Sequence, residues 1–154
     1  MKAVLERSYP YAGGSALAAA YAVFARDAAC AMASPMLNPI AMFGSMFNLG
    51  AVLTGFLFTV YILAIAPSGS FIERIFTTRT FKIFRRYVIE AMCLGASATV
   101  VSWPLGIMQS FPDKVDLAWH VILALWVFVS VSAILAFFRV GWIFFILAQY
   151  SHKD

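Results

Sequence analysis

The chain has 154 residues, of which 63% are hydrophobic and only 12% charged, against about 45–50% apolar and about 25% charged residues in an ordinary soluble domain. A water-soluble fold is excluded, and four membrane crossings of about 20 residues each leave no room for a separate soluble catalytic domain. The net charge of +4 would suit nucleic acid, but Arg74, Arg79, Lys82, Arg85 and Arg86 crowd into one short segment between two apolar stretches. Multi-pass proteins hold a loop beside anionic headgroups in this way, so nucleic acid is not an expected partner.

Taken in chain order, residues 11–34 form a weakly apolar, Ala-rich segment that also contains Arg26 and Asp27. Three readings are open: a fourth span, a packed or amphipathic helix outside the bilayer, or a signal peptide flanked by Lys2 and Arg7. The distribution of positive charge favours the span, with Arg26 and Asp27 as intramembrane ionisable groups and Asp27 pairing with an arginine of a neighbouring helix. Residues 40–66 carry no charge and stop at Pro67-Ser68-Gly69, which defines a clear span. On it, Gly44 and Asn48, then Ala51, Gly55 and Thr59, recur every four residues. Such a small face is expected to pack against another helix, because helices in lipid associate by close backbone approach. A pore lined by Asn48, Thr54 and Thr59 is the sharper alternative.

Residues 70–86 have helical periodicity, with Ile72, Ile75, Phe76, Ile83, Phe84 and the adjoining Tyr87 on one side and Arg79, Lys82 and Arg86 on another. A basic amphipathic helix at headgroup level is expected here, contacting lipid or an acidic partner through its five cations. The next span covers 87–108, with a proline kink at Pro104 and a second small face at Ala91, Gly95, Ala98 and Ser102 that should meet the first. Glu90 follows Arg86 by four residues, the spacing of an intrahelical ion pair. After Asp113 and Asp116 a third clear span runs over 117–138 to Arg139, and 139–150 form an apolar helical tail that continues the helix or lies along the interface. Trp103, Phe111, Trp119 and Trp142 fall near span ends, as belt residues do.

The fold class is therefore an all-α membrane protein in one domain over 1–154: a bundle of four transmembrane helices, three strongly apolar and one weakly so at the N-terminus, with a basic amphipathic connecting helix. With the 70–86 segment cytoplasmic, both termini are cytoplasmic and 109–116 lies outside. No catalytic constellation, phosphate-binding glycine loop or metal-ligand spacing is present. Cys30 and Cys93 have no partner at motif spacing, and cofactor ligation by His120 is weaker than an interfacial histidine beside Trp119. No catalytic, cofactor or metal site is expected.

The run from Gly50 to Thr59, the Pro-Ser-Gly break, Phe71 to Arg74, Phe81 to Tyr87 and the two following spans resemble small bacterial inner-membrane proteins, including the membrane subunit of Kiwa-type anti-phage defence. The likeness covers about 40–140 and is one of layout, so no residue role follows from it. It implies a non-enzymatic, homo-oligomeric inner-membrane protein that senses or perturbs the membrane, in phage defence, with lipids and further copies of itself as partners. The alternatives are an accessory subunit of a respiratory, photosynthetic or transport complex, needing a membrane or cytosolic protein partner, and a small channel or holin-like pore.

Overall fold

The computed structural model describes residues 2–24, 38–65, 79–108 and 116–151. Every regular element among them is a helix: α1 (Lys2–Val23), α2 (Pro39–Ile65), α3 (Arg79–Gly106) and α4 (Leu117–Ser151). Two helix starts follow directly from capping chemistry. Asn38 accepts the Ala41 N–H on its side-chain oxygen at 3.1 Å, and Pro39, with no N–H to leave orphaned, takes the first helical position. Asp116 likewise caps the Trp119 N–H at 3.1 Å.

Three of these helices are long and apolar enough to cross a membrane: Pro39–Ile62, Ile83–Gly106 and Leu117–Ile146, of 24, 24 and 30 residues. At 1.5 Å per residue even the shorter two reach about 36 Å, beyond the roughly 30 Å of a hydrocarbon core. Large apolar side chains such as Val52, Phe56, Val100, Val121 and Leu125 point outward, the arrangement of a fold whose solvent is lipid. α1 is not among these three candidate spans.

The helices pack α1 against α4, α4 against α3 and α3 against α2, with only a slight contact between α2 and α4. Each packed pair is antiparallel. Tyr9 meets Leu135 while Tyr21 meets His120; Glu90 meets Arg139 while Ser102 meets Trp126; and Gly106 meets Gly44 while Gly95 meets Thr54. The N-terminus, the end of α2, the start of α3 and the last turns of α4 therefore share one end of the bundle. Near that end Leu57, Phe84, Tyr87, Val88, Ala91, Ala136 and Val140 form a buried cluster. Met46, Ala98 and Ala133 fill the middle, and Phe43, Leu105 and Leu123 the far end. There the Phe43 and Trp126 rings meet edge to face at 4.9 Å.

Element limits differ from the sequence reading in two places. α1 begins at Lys2 and runs through Pro10, because the buried proline packs into the bundle; residues 25–34 of the expected first span lie outside the described residues. Arg79 to Tyr87 do not form a separate amphipathic helix but the first turns of α3, since no Gly or Pro interrupts the chain there; residues 70–78 lie outside the described residues. α4 continues past Arg139 to Ser151, one of the two courses expected of the apolar tail.

The seam between α2 and α3 is set by glycines. A Cβ on Gly50 would lie 2.6 Å from Thr99 Oγ1 and 3.2 Å from the Gly95 carbonyl oxygen, and one on Gly95 would lie 2.5 Å from Thr54 Oγ1. Ala91, Gly95, Ala98 and Ser102 are buried, and Gly44 approaches Gly106 backbone to backbone. Asn48, Ala51, Gly55 and Thr59, expected in this seam, are instead exposed. The contact face of α2 is rotated by about one residue, 100°, onto Phe43, Gly50, Thr54 and Leu57. The rotation buries a phenylalanine and a leucine, which four-residue spacing of small side chains alone does not reveal. Gly95→Leu should lower stability in mild detergent by about 1–3 kcal/mol through overpacking. Gly55→Leu, with no atom within 4 Å of its Cβ position, should change it by less than about 0.5 kcal/mol. Thermal or denaturant unfolding followed by circular dichroism separates the two.

Candidate functional site

Arg139 is the only charged residue between Leu117 and Ser151, and Glu90 the only acidic one between Tyr87 and Pro112. Two lone charges of opposite sign on adjacent apolar helices meet at the same depth. The Arg139 Nη2 donates to Glu90 Oε2 at 3.0 Å, with the two side chains only 4% and 16% exposed. Tyr11 of α1 donates its hydroxyl to the other carboxylate oxygen, Oε1, at 2.6 Å. The guanidinium carbon stands 4.0 Å from the centroid of the Tyr87 ring, a cation–π contact that offsets part of its desolvation.

Local geometry explains why these side chains converge. Tyr87 and Glu90 are three residues apart on α3 and share a face. On α4, Leu135 lies one turn before Arg139, and its carbonyl accepts the Tyr9 hydroxyl at 2.9 Å. Pro10 between the two tyrosines is buried. Below it, a Cβ on Gly14 would lie 2.8 Å from the Phe128 carbonyl oxygen and would clash with Ser132 Oγ, so α1 lies close enough to α4 for both phenols to reach past its surface. One carboxylate, one guanidinium and three phenol rings thus tie α1, α3 and α4 together near one end of the bundle.

Beside the pair is a cavity of about 290 Å³ lined by Tyr9, Tyr87, Arg139, Trp142, Ile143 and Ile146. It is polar where the guanidinium and phenols lie and apolar along the two isoleucines. Among the described residues no three His, Cys, Asp or Glu side chains come together to hold a metal ion.

The expected pair of Glu90 with Arg86 is not the one that forms: Glu90 turns to Arg139, and Arg86 is exposed. The reason is solvation. Arg86, one turn closer to the helix start, has a long side chain free to reach polar surroundings, whereas Arg139 is held inside and requires a counter-charge. Arg85 is exposed as well, Arg79 and Lys82 lie in the first turns of α3, and Arg74, Arg26, Asp27, Cys30 and Phe111 lie outside the described residues. Cys93 is a free, exposed thiol. At the opposite end, Tyr21 Oη lies 3.3 Å from His120 Nδ1. Trp103 and Trp142 are exposed and Trp119 is half-buried.

The sequence reading names Tyr87 only as part of an apolar helix side, and it does not single out Tyr9 or Tyr11. A usable signal was present in the Tyr-Pro-Tyr triplet and in the two isolated opposite charges, which low dielectric compels to pair. No family model matches the chain, and no curated protein or solved structure matches it either.

Breaking this pair from one side should be costly. Glu90→Ala or Arg139→Ala is expected to lose about 3–5 kcal/mol, because each leaves a charge buried without its partner. The double variant Glu90→Gln/Arg139→Met should lose much less than the sum of the single losses. Tyr11→Phe should cost about 1.5 kcal/mol, the range of a hydrogen bond to a charged group, and Arg86→Ala less than about 0.5 kcal/mol. Unfolding titrations of the detergent-solubilised protein measure all of these.

Proposed function

We propose that the chain is a non-enzymatic, homo-oligomeric, multi-pass protein of a bacterial inner membrane that senses or alters membrane state at its basic end, with α1 as the fourth crossing. The observation that carries this is the convergence of cations and the buried ion pair on one end of an antiparallel bundle. Arg85 and Arg86 are exposed there, Arg139 is buried nearby, and Lys2, Arg7, Arg79 and Lys82 belong to the first turns of α1 and α3 at the same end. Such an end faces the cytoplasm under the positive-charge rule and meets anionic headgroups, whose pull is about 1 kcal/mol per cation near the surface. Self-association is supported by the exposed small and polar stripe of Asn48, Ala51, Gly55 and Thr59 on α2, a face suited to close helix contact with a second copy. Phage defence, implied by the resemblance in layout, is one biological setting for such a protein.

The topology is tested by labelling from the outer face in a background lacking both native cysteines. Lys114→Cys should react and Lys82→Cys should not, and the reverse pattern would refute the orientation. For the function, expression in a bacterial host should change membrane potential or phage susceptibility. Replacing Arg79, Lys82 and Arg86 together by Gln should abolish that effect while leaving the amount of inserted protein unchanged. Stoichiometric foreign chains on purification, with no change in either readout, would establish the accessory-subunit alternative instead.

A further inference from the structure

We infer that the cavity beside Arg139 is a binding site for the headgroup of an anionic phospholipid, a reading that rests on the proposed membrane orientation. Three observations converge on this occupant. The first is depth: Arg139 follows the uncharged apolar run of 117–138, so the cavity sits where α4 leaves the hydrocarbon and phosphates begin. The second is the lining. Arg139 supplies guanidinium N–H groups at one wall and Tyr9 its ring, the hydroxyl proton being given to the Leu135 carbonyl, whereas Ile143 and Ile146 supply an apolar wall toward the outside of the bundle, and Trp142, 68% exposed, stands at the side as an interfacial indole does. The third is charge: Arg85 and Arg86 are exposed on the same end, leaving it cationic after Glu90 has neutralised Arg139.

The volume of about 290 Å³ lies at the lower end of ordinary ligand pockets, the scale of a phosphoglycerol group with the first carbons of an acyl chain. A lipid fits better than free phosphate, because the lining is mostly apolar and continues onto the lipid-facing surface at Ile146. Planar guanidinium donors match phosphate oxygens, and the adjacent phenol and indole rings accommodate glycerol and carbonyl groups at the interface. Neither apolar wall residue takes part in the ion pair, so the site can be filled without breaking the bundle.

The experiment is native mass spectrometry of the full-length protein released from detergent after incubation with phosphatidylglycerol or phosphatidylcholine of identical chains. Phosphatidylglycerol should be retained about fivefold more, the factor corresponding to one additional favourable cation contact. Ile146→Trp, which fills the apolar side, should bring its retention down to the phosphatidylcholine level with an unchanged melting temperature. Should that variant melt early, Trp142→Ala, at an exposed position, provides the same comparison. Equal retention of the two lipids, or undiminished retention in the variant that folds, would overturn the site. Displacement of phosphatidylglycerol by millimolar inorganic phosphate would overturn the lipid as its source. Loss of selective retention with the cysteine-labelling pattern intact removes this site alone, whereas an inverted labelling pattern removes the orientation on which it rests.

Discussion

A guanidinium that is the single charge of α4 and a carboxylate that is the single acid of α3 have one inexpensive solution in low dielectric, which is to find one another. That constraint aligns α3 with α4. Sliding either helix by one turn, about 5.4 Å, would separate Glu90 from Arg139 and leave two charges buried without partners, an outcome worse than most packing defects. Apolar contacts elsewhere in the bundle tolerate repacking, whereas the 3.0 Å contact does not tolerate a shift in register. Tyr11 extends the same restriction to α1 by occupying the second carboxylate oxygen.

Glycine supplies the complementary constraint. Between helices in lipid there is no hydrophobic drive, since the acyl chains are as apolar as leucine, and attraction depends on how closely backbones approach. Gly50 against Gly95, Gly106 against Gly44, and Gly14 against Phe128 and Ser132 mark three such approaches, one for each of two levels of the α2–α3 seam and one for α1 on α4. The ion pair sets the register of α3 and α4, and the glycines set the distances at which their outer neighbours lie.

Much of the helical architecture is legible from the chain because the signals are local: uncharged runs, the Pro67-Ser68-Gly69 stop after the first clear span, and the charged Asp113 and Asp116 ahead of the third. Partner choice was less legible because it is decided in three dimensions. The Gly55 stripe and the Gly50 seam differ by one residue, and only the burial of Phe43 and Leu57 distinguishes the face that meets α3. Glu90 offered two partners. Four-residue spacing indicates Arg86, but spacing ignores solvation, and the arginine that cannot reach water competes more strongly. The tyrosines on either side of Pro10 carried no chemistry visible along the chain, since their targets lie more than 70 residues away, at Glu90 and Leu135.

The two ends of the bundle are built from different materials, and this difference bears on where a response to the membrane can arise. At the far end Phe43, Leu105, Leu123 and Trp126 interlock by shape, contacts that neither charge nor headgroup composition perturbs. At the basic end an ion pair and phenol hydrogen bonds hold α1 to α3 and α4, and each of these interactions has a competitor in a lipid phosphate or a change in surface charge. Under the proposed orientation the polar end is the part whose contacts depend on what the membrane presents. A population shift needs a partner with unequal affinity for two arrangements, and the Arg139 cavity adjoins both the ion pair that joins α3 to α4 and the Tyr9 hydrogen bond that joins α1 to α4.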